Sequence, residues 1–235
     1  MPPAAAAEVC SICRSWKAPQ FETCASCTTA AQSLELVPTR VIPISLYRKP
    51  SVLRDWLKYY KSGGEEFHPE YVEYLSILIA RFMYENREEL GAYLGRWTET
   101  MVVPSTARPD ANHPLEDALI LAGQDLVLPP SKLLLAGEIR LRHRQYDRTG
   151  YRAIDDLKGR AILIFDDVYT SGARAQSASA VLRAAGAEVL GIVVVGRRVN
   201  PDFNRQTSVI WAQQREKRFS YNREAHWWFV DMAIS

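Results

Sequence analysis

The stretch Ala161-Ile-Leu-Ile-Phe165-Asp166-Asp167-Val168-Tyr169-Thr170-Ser171-Gly172-Ala173-Arg174 says more about architecture than any other in this 235-residue chain. Five apolar residues, Ala161 to Phe165, read as a buried strand. Two carboxylates stand at its C-terminal end, and a turn of small residues then opens a helix. In open α/β sheets, ligands gather at the carboxyl ends of the strands. A turn of Thr170, Ser171, Gly172 and Ala173 lets backbone N–H groups approach an anion. The helix N-terminus adds unpaired donors and the positive end of its dipole. The turn therefore reads as a phosphate cradle. The acids beside it would repel phosphate, so they should face sugar hydroxyls or a Mg²⁺-bound sugar.

Outward from this stretch, strands and helices alternate. Arg160 to Phe165 is followed by a helix over Ala173 to Ala185, closed by Gly186, and by a strand over Glu188 to Val195. Upstream, Thr100 to Val103 reads as a strand running into Pro104-Ser105-Thr106. Leu115, Ala118, Leu119 and Ala122 mark a short helix capped at Asp110 or Asn112. Lys132 to Ala136 reads as another strand, and Gly137 to Lys158 as a mobile, arginine-rich loop. Ser208 to Ala212 is expected to add an edge strand. Near-continuous apolar strands separated by helices imply a parallel sheet with helices on both faces. Before Trp97 the pattern differs. Pro38 to Pro50 is linker-like, with one short strand at Val41, Ile42 and Ile44. Two amphipathic helices follow, one from Val52 to Tyr60 ended by Ser62-Gly63-Gly64, the other from Tyr71 to Met83 ended near Gly91. The expected division is 1–36, 37–96 and 97–235.

All four cysteines lie in the first 27 residues, as Cys10-x-x-Cys13 and Cys24-x-x-Cys27 with ten residues between the pairs. Two such knuckles complete a tetrahedral S₄ site for a structural zinc. The alternative is disulfide pairing or unrelated buried thiols. A net charge of +2, with 47% hydrophobic and 24% charged residues, is ordinary for a globular chain and argues against a surface wholly devoted to nucleic acid or membrane. Arginines cluster locally, at Arg140, Arg142, Arg144, Arg148 and Arg152 and again at Arg215 to Arg223. Met1 to Val9 lacks a charged segment and a long apolar run, and the helix pattern around Tyr71 to Tyr84 is broken by Glu73 and Arg81. The chain is expected in the cytoplasm, with reduced thiols and no membrane partner.

The central stretch resembles the 5-phosphoribosyl-1-pyrophosphate (PRPP) motif of type I phosphoribosyltransferases. The resemblance implies that Asp166 and Asp167 hold the ribose hydroxyls and that Thr170, Ser171, Gly172, Ala173 and Arg174 wrap the 5-phosphate. The family's turn usually has threonine where this chain has Arg174. The loop after the first core strand would receive pyrophosphate through Ser105, Thr106 and Arg108, and a flap bearing Arg140, Arg142, Arg144 and Tyr146 would close over it. Tyr169 would sit near the ribose or the acceptor, or simply pack. The N-terminal cysteine pairs, Ile44-Ser45-Leu46-Tyr47, Leu53-x-x-Trp56-x-Lys58-x-x-Lys61 and Val103-Pro104 are similar to the ComF family, which joins a four-cysteine zinc module to this fold. The family's arginine-glycine-phenylalanine-asparagine-glutamine run is replaced here by Asp110-Ala-Asn-His113-Pro-Leu115.

The implied activity is Mg²⁺-dependent transfer of phosphoribose from PRPP to an unidentified acceptor, releasing pyrophosphate. Two other functions remain open. One is a PRPP- or nucleotide-binding regulator without turnover. The other is a ComF-like protein of DNA uptake or repair, with single-stranded DNA on the arginine clusters and on aromatics such as Trp211. A homodimer is compatible with each.

Overall fold

A computed structural model of the protein describes residues 7–61, 67–106 and 112–217. Its centre is a four-stranded, all-parallel sheet of β1 (Val41–Tyr47), β2 (Glu99–Val102), β5 (Ala161–Tyr169) and β6 (Glu188–Arg198), in the spatial order β1-β6-β5-β2. β5 and β6 are the inner pair, which explains their unbroken apolar runs: both faces are covered, so neither can afford a polar alternation. Pro43 sits in β1, an edge strand, where its missing N–H costs least.

Helices cover both faces. On one, α2 (Val52–Tyr59), α3 (Glu70–Leu94) and α4 (Pro114–Ala122) pack Leu57, Leu75, Ile79, Phe82, Leu115 and Leu119 against Ile42, Leu163, Phe165 and Val193. On the other, α5 (Ala173–Ala184) lays Ala175, Ala178 and Leu182 on Ile162, Ile164, Ile192 and Val194. Its small side chains allow close approach to the sheet, and its far side, Ala173 and Ala180, is buried in turn by Ala30 and Leu34 of α1 (Ala25–Leu34) and by Tyr146. The four cysteines belong to this same packed layer. The stretch 37–96 thus supplies β1 to the sheet and two covering helices. No helix among the described residues is long and apolar enough to cross a membrane.

Several expected elements come out differently. β5 does not stop at Phe165: it continues to Tyr169, because β6 runs on to Arg198 and gives Asp166, Val168 and Tyr169 ladder partners. The strand expected at Lys132 to Ala136 shrinks to β3 (Leu134–Ala136). It leaves the parallel sheet and pairs antiparallel with β4 (Tyr151–Ala153). The segment 137–158 is therefore no free loop. Gly137 N–H donates to Gly150 O at 2.9 Å, and Leu141, Tyr146, Tyr151 and Leu157 are all buried. A side chain at position 137 would meet the Thr149 carbonyl at 2.0 Å, so only glycine closes this ladder.

The edge strand expected at Ser208 to Ala212 is instead part of α6 (Arg205–Glu216). Asn204 caps that helix by accepting from Thr207 N at 2.8 Å, and Thr207, Ile210 and Gln214 bury one helical face. A five-residue apolar-polar run is too short to separate the two periods. The cap of α4 is His113, whose Nδ1 accepts from Leu115 N at 3.2 Å, and α3 passes through Gly91 to end at Leu94. Ser62-Gly63-Gly64, Arg108, Asp110 and the tail from Arg218 lie outside the described residues.

Candidate functional site

The carboxyl ends of β2, β5 and β6 converge on the central stretch. Because β5 extends through both acids, the strand sends them to different surroundings. Asp166 lies on the α5 side and lines a cavity of about 250 Å³ together with Thr170, Ser171, Gly172, Ala173, Arg174, Leu141, Arg142 and His143. It is the one carboxylate among the described residues of that wall. Asp167 is not part of it. On the α2 side its Oδ2 accepts from the Tyr60 hydroxyl at 2.8 Å and pairs with the Lys61 ammonium.

The two acids titrate in opposite directions. Burial, then the neighbouring Asp167 charge, push Asp166 up to about 7 despite Arg174 and Lys61 nearby. Burial also works against the charge of Asp167, but Lys61, His113 and the hydroxyl of Tyr60 outweigh it and hold Asp167 below the usual carboxylate range. One negative charge stays fixed on Asp167, and the proton near neutrality belongs to Asp166.

The bend after β5 has the conformation that an anion cradle needs. Gly172 adopts φ +82°, and an added Cβ would strike the Tyr169 ring at 2.0 Å, so the ring forms the floor on which the glycine rests. α5 starts there, and its N-cap Gly172 offers no side-chain cap. Ser171 is buried, its Oγ accepting from Arg144 N at 3.2 Å and from Ala173 N at 3.4 Å, while its carbonyl accepts from the Tyr146 hydroxyl at 2.8 Å. The Tyr151 hydroxyl donates to Pro104 O at 3.1 Å. The segment 137–158 is thus docked on the bend through Arg144 and Tyr146, and on the segment after β2 through Tyr151.

The remaining expected site residues distribute as follows. Arg142 and Arg174 reach the cavity beside Asp166 and are exposed. Arg144 faces a second, larger cavity of about 410 Å³ on the other side of Thr170 and Ser171, and Arg140 lines neither. Ser105 lines a small cavity of about 90 Å³ at the tip of β2, with His113 and Lys132, and Thr106 follows it in the chain. Tyr169 is buried, and its hydroxyl accepts from Gln176 Nε2 at 3.2 Å. Trp211 on α6 is half-buried, its indole nitrogen enclosed without a hydrogen-bond partner among the described residues.

Tyr60, Lys61 and His113 were not anticipated as neighbours of the acids. Tyr60 belongs to the apolar stripe of α2, and in sequence a tyrosine that closes a stripe looks like core. Arg197 was missed as well. It ends a strand pattern and carries no motif, yet it is buried and touches both the bend and the cysteines.

The cysteines form a closed cluster. All four are buried, none is in a disulfide, and their sulfur atoms lie within 4.8 Å of one another. A tetrahedral ion with Zn–S bonds of about 2.3 Å requires S···S edges of about 3.8 Å, and Cys13 Sγ and Cys24 Sγ are 3.5 Å apart. The first knuckle is closed by Arg14 N donating to Cys10 O at 3.0 Å. The second opens α1, with Cys24 as its N-cap and Cys27 in its first turn, where the helix dipole favours thiolate. Cys24 N–H points at Cys10 Sγ, 3.3 Å away. These donors fit a metal such as zinc, and four protein ligands leave no open position for chemistry. Compared with known family models and with curated proteins, the chain matches none.

Proposed function

We propose that this protein is a ComF-like phosphoribosyltransferase that binds PRPP in the cavity at the end of β5 and passes phosphoribose to a nitrogen nucleophile, releasing pyrophosphate. One observation carries the reading: Asp166 and the bend Thr170 to Arg174 line the same cavity, at the carboxyl end of a parallel strand. In the sequence an acid precedes a turn of small residues, and in the fold Asp166 and that turn share one wall, which supports the reading.

In this reading the amides at the start of α5 take the 5-phosphate, with Arg174 and Arg142 offsetting its charge. Asp166 accepts from a ribose hydroxyl. Asp167, held by Lys61 and Tyr60, fixes the strand tip. The departing diphosphate faces the loop at Ser105 and Thr106. As the bond from C1 to the diphosphate oxygen breaks, a bond from C1 to nitrogen forms and the nucleophile gives up its proton to the departing diphosphate. Leu141, Tyr146 and Tyr151 close the flap side and keep out water, which would otherwise intercept the cationic sugar. Mg²⁺ would neutralise the diphosphate, with Asp166 the carboxylate within the cavity that can offer it an oxygen. Zinc in the cysteine cluster would be structural.

Calorimetry with PRPP and Mg²⁺, followed by a pyrophosphate-release assay over a panel of nitrogen nucleophiles, tests this. Binding with release supports the transferase. Binding without release under any acceptor assigns the protein to the regulator class, and no binding removes the proposal.

A further inference from the structure

Arg197, near the end of β6, is 5% exposed and has no carboxylate partner among the described residues. Burying a guanidinium without a counter-charge is costly, so its surroundings must supply acceptors in its place. They do so from two directions. Nε donates to Cys13 O at 3.1 Å and Nη2 points at Cys13 Sγ, 3.7 Å away. Nη1 lies against the carbonyls of Tyr169 at 2.9 Å, Thr170 at 2.8 Å and Arg198 at 2.8 Å. The guanidinium also stands over the Tyr169 ring, 5.2 Å from its centroid, and that ring is the floor beneath Gly172. One side chain thus touches a cysteine sulfur and both carbonyls that lead into the bend.

We propose that Arg197 is a positioning residue through which metal in the cysteine cluster sets the shape of the bend at residues 169–172. Four thiolates on a divalent ion carry a net charge of two minus, and Arg197 offsets part of it. With the metal in place the guanidinium is charge-compensated, orients along Cys13, and holds the Tyr169 and Thr170 carbonyls on its other edge. Removal of the metal frees the four sulfurs to separate and Cys13 to move. The guanidinium then loses its anchor at Cys13 and the Tyr169 and Thr170 carbonyls lose their fixed donor. The coupling is reciprocal: a ligand that tightens the bend must also be felt at the metal. The ligand half of this rests on the bend being a phosphate site; the metal half does not.

The test uses the full chain with Co²⁺ in place of zinc and compares wild type with Arg197→Gln and Arg197→Lys. The readouts are the sulfur-to-cobalt absorption bands, amide hydrogen exchange at 169–174, and PRPP affinity. Expected are one metal per chain in each protein and shifted bands in Arg197→Gln. Exchange at 169–174 should be faster both in Arg197→Gln and in chelator-stripped wild type, while α3 exchanges at the wild-type rate. The two perturbations should be non-additive, because they break one linkage. PRPP affinity should fall roughly ten-fold in Arg197→Gln and less in Arg197→Lys, which keeps the charge. Exchange at 169–174 indifferent to metal removal, or strictly additive effects, would overturn the proposal. If Arg197→Gln does not fold, stripped wild type alone decides it by the same exchange readout. If PRPP binds no form of the protein, the transferase reading fails while the exchange and cobalt readouts still decide the role of Arg197.

Discussion

Asp166 and Asp167 are adjacent in sequence and unlike in almost every physical respect. Asp166 looks into a cavity with a helix N-terminus and two arginines, and burial pushes its carboxyl up to about 7. Asp167 looks into a closed polar knot, gripped by Lys61 and Tyr60, and stays ionised. The same dipeptide therefore splits into an acid available to a ligand and an acid spent on the fold. The cause is elementary: a strand that continues through both residues turns them to opposite sides, and the two sides of the sheet are covered by different helices. A pair of acids at a strand end is thus weak evidence that both meet the ligand. How far the strand runs decides it.

The sharpest way to break this comparison is to neutralise each acid in turn. Asp166→Asn should lower PRPP affinity roughly a hundred-fold, the loss of one charge-assisted contact, with the fold retained by circular dichroism. Equal losses of affinity in Asp166→Asn and Asp167→Asn would show that both acids serve the ligand. Next in size is the partner of the spent acid. Lys61→Met should cost about 2 kcal/mol in urea unfolding, less than a fully buried pair because Lys61 is partly in water. Tyr60→Phe removes only a hydroxyl donor to a carboxylate and should cost about 1.5 kcal/mol by the same measurement.

The dependence on pH separates the two acids by sign. Asp166 has a folded value near 7, above that of a carboxyl in an unfolded chain, so the folded state holds its proton more tightly. Its contribution to stability is complete in acid and is lost as pH rises from about 4 to 7. Asp167 is depressed, so its contribution is present above about 4 and disappears as pH falls below that. Asp166→Asn should accordingly gain thermal stability relative to wild type as pH rises from 4 to 8, whereas Asp167→Asn should stay below wild type from pH 5 to 8 and close that gap as pH falls to 3. Melting curves of the three proteins at pH 3, 5 and 8 check both slopes; parallel curves would show that neither acid titrates differently on folding.

Much of the fold was legible in one dimension. The apolar runs at 161–165 and 188–195, the helix between them closed by Gly186, and the apolar stripes of α2 and α3 all follow from spacing and side-chain type, and each is found in place. So is the cysteine cluster, since two short-spaced pairs need no long-range information to suggest one ion. Other segments are less legible. Residues 208–212 are a short apolar run whose period cannot be told from a few residues, residues 134–136 form the expected strand but pair outside the parallel sheet, and the loop 137–158 hides four buried apolar side chains among its arginines. Packing, with Gly137 and Gly150 facing each other at the closed end of the β3–β4 ladder, overrides its polar composition.

By itself the sequence determined the local chemistry: a buried strand, two acids, a glycine bend, a helix start and four thiols at ligand spacing. Only the tertiary structure decided which acid opens to a cavity, that Tyr60 and Lys61 bind the other, and that Arg197 bridges the bend to Cys13 across 184 residues of chain. Periodicity and turn chemistry act between near neighbours. Partnership between distant side chains is set by strand order and by which helix covers which face, and no window along the chain contains that information.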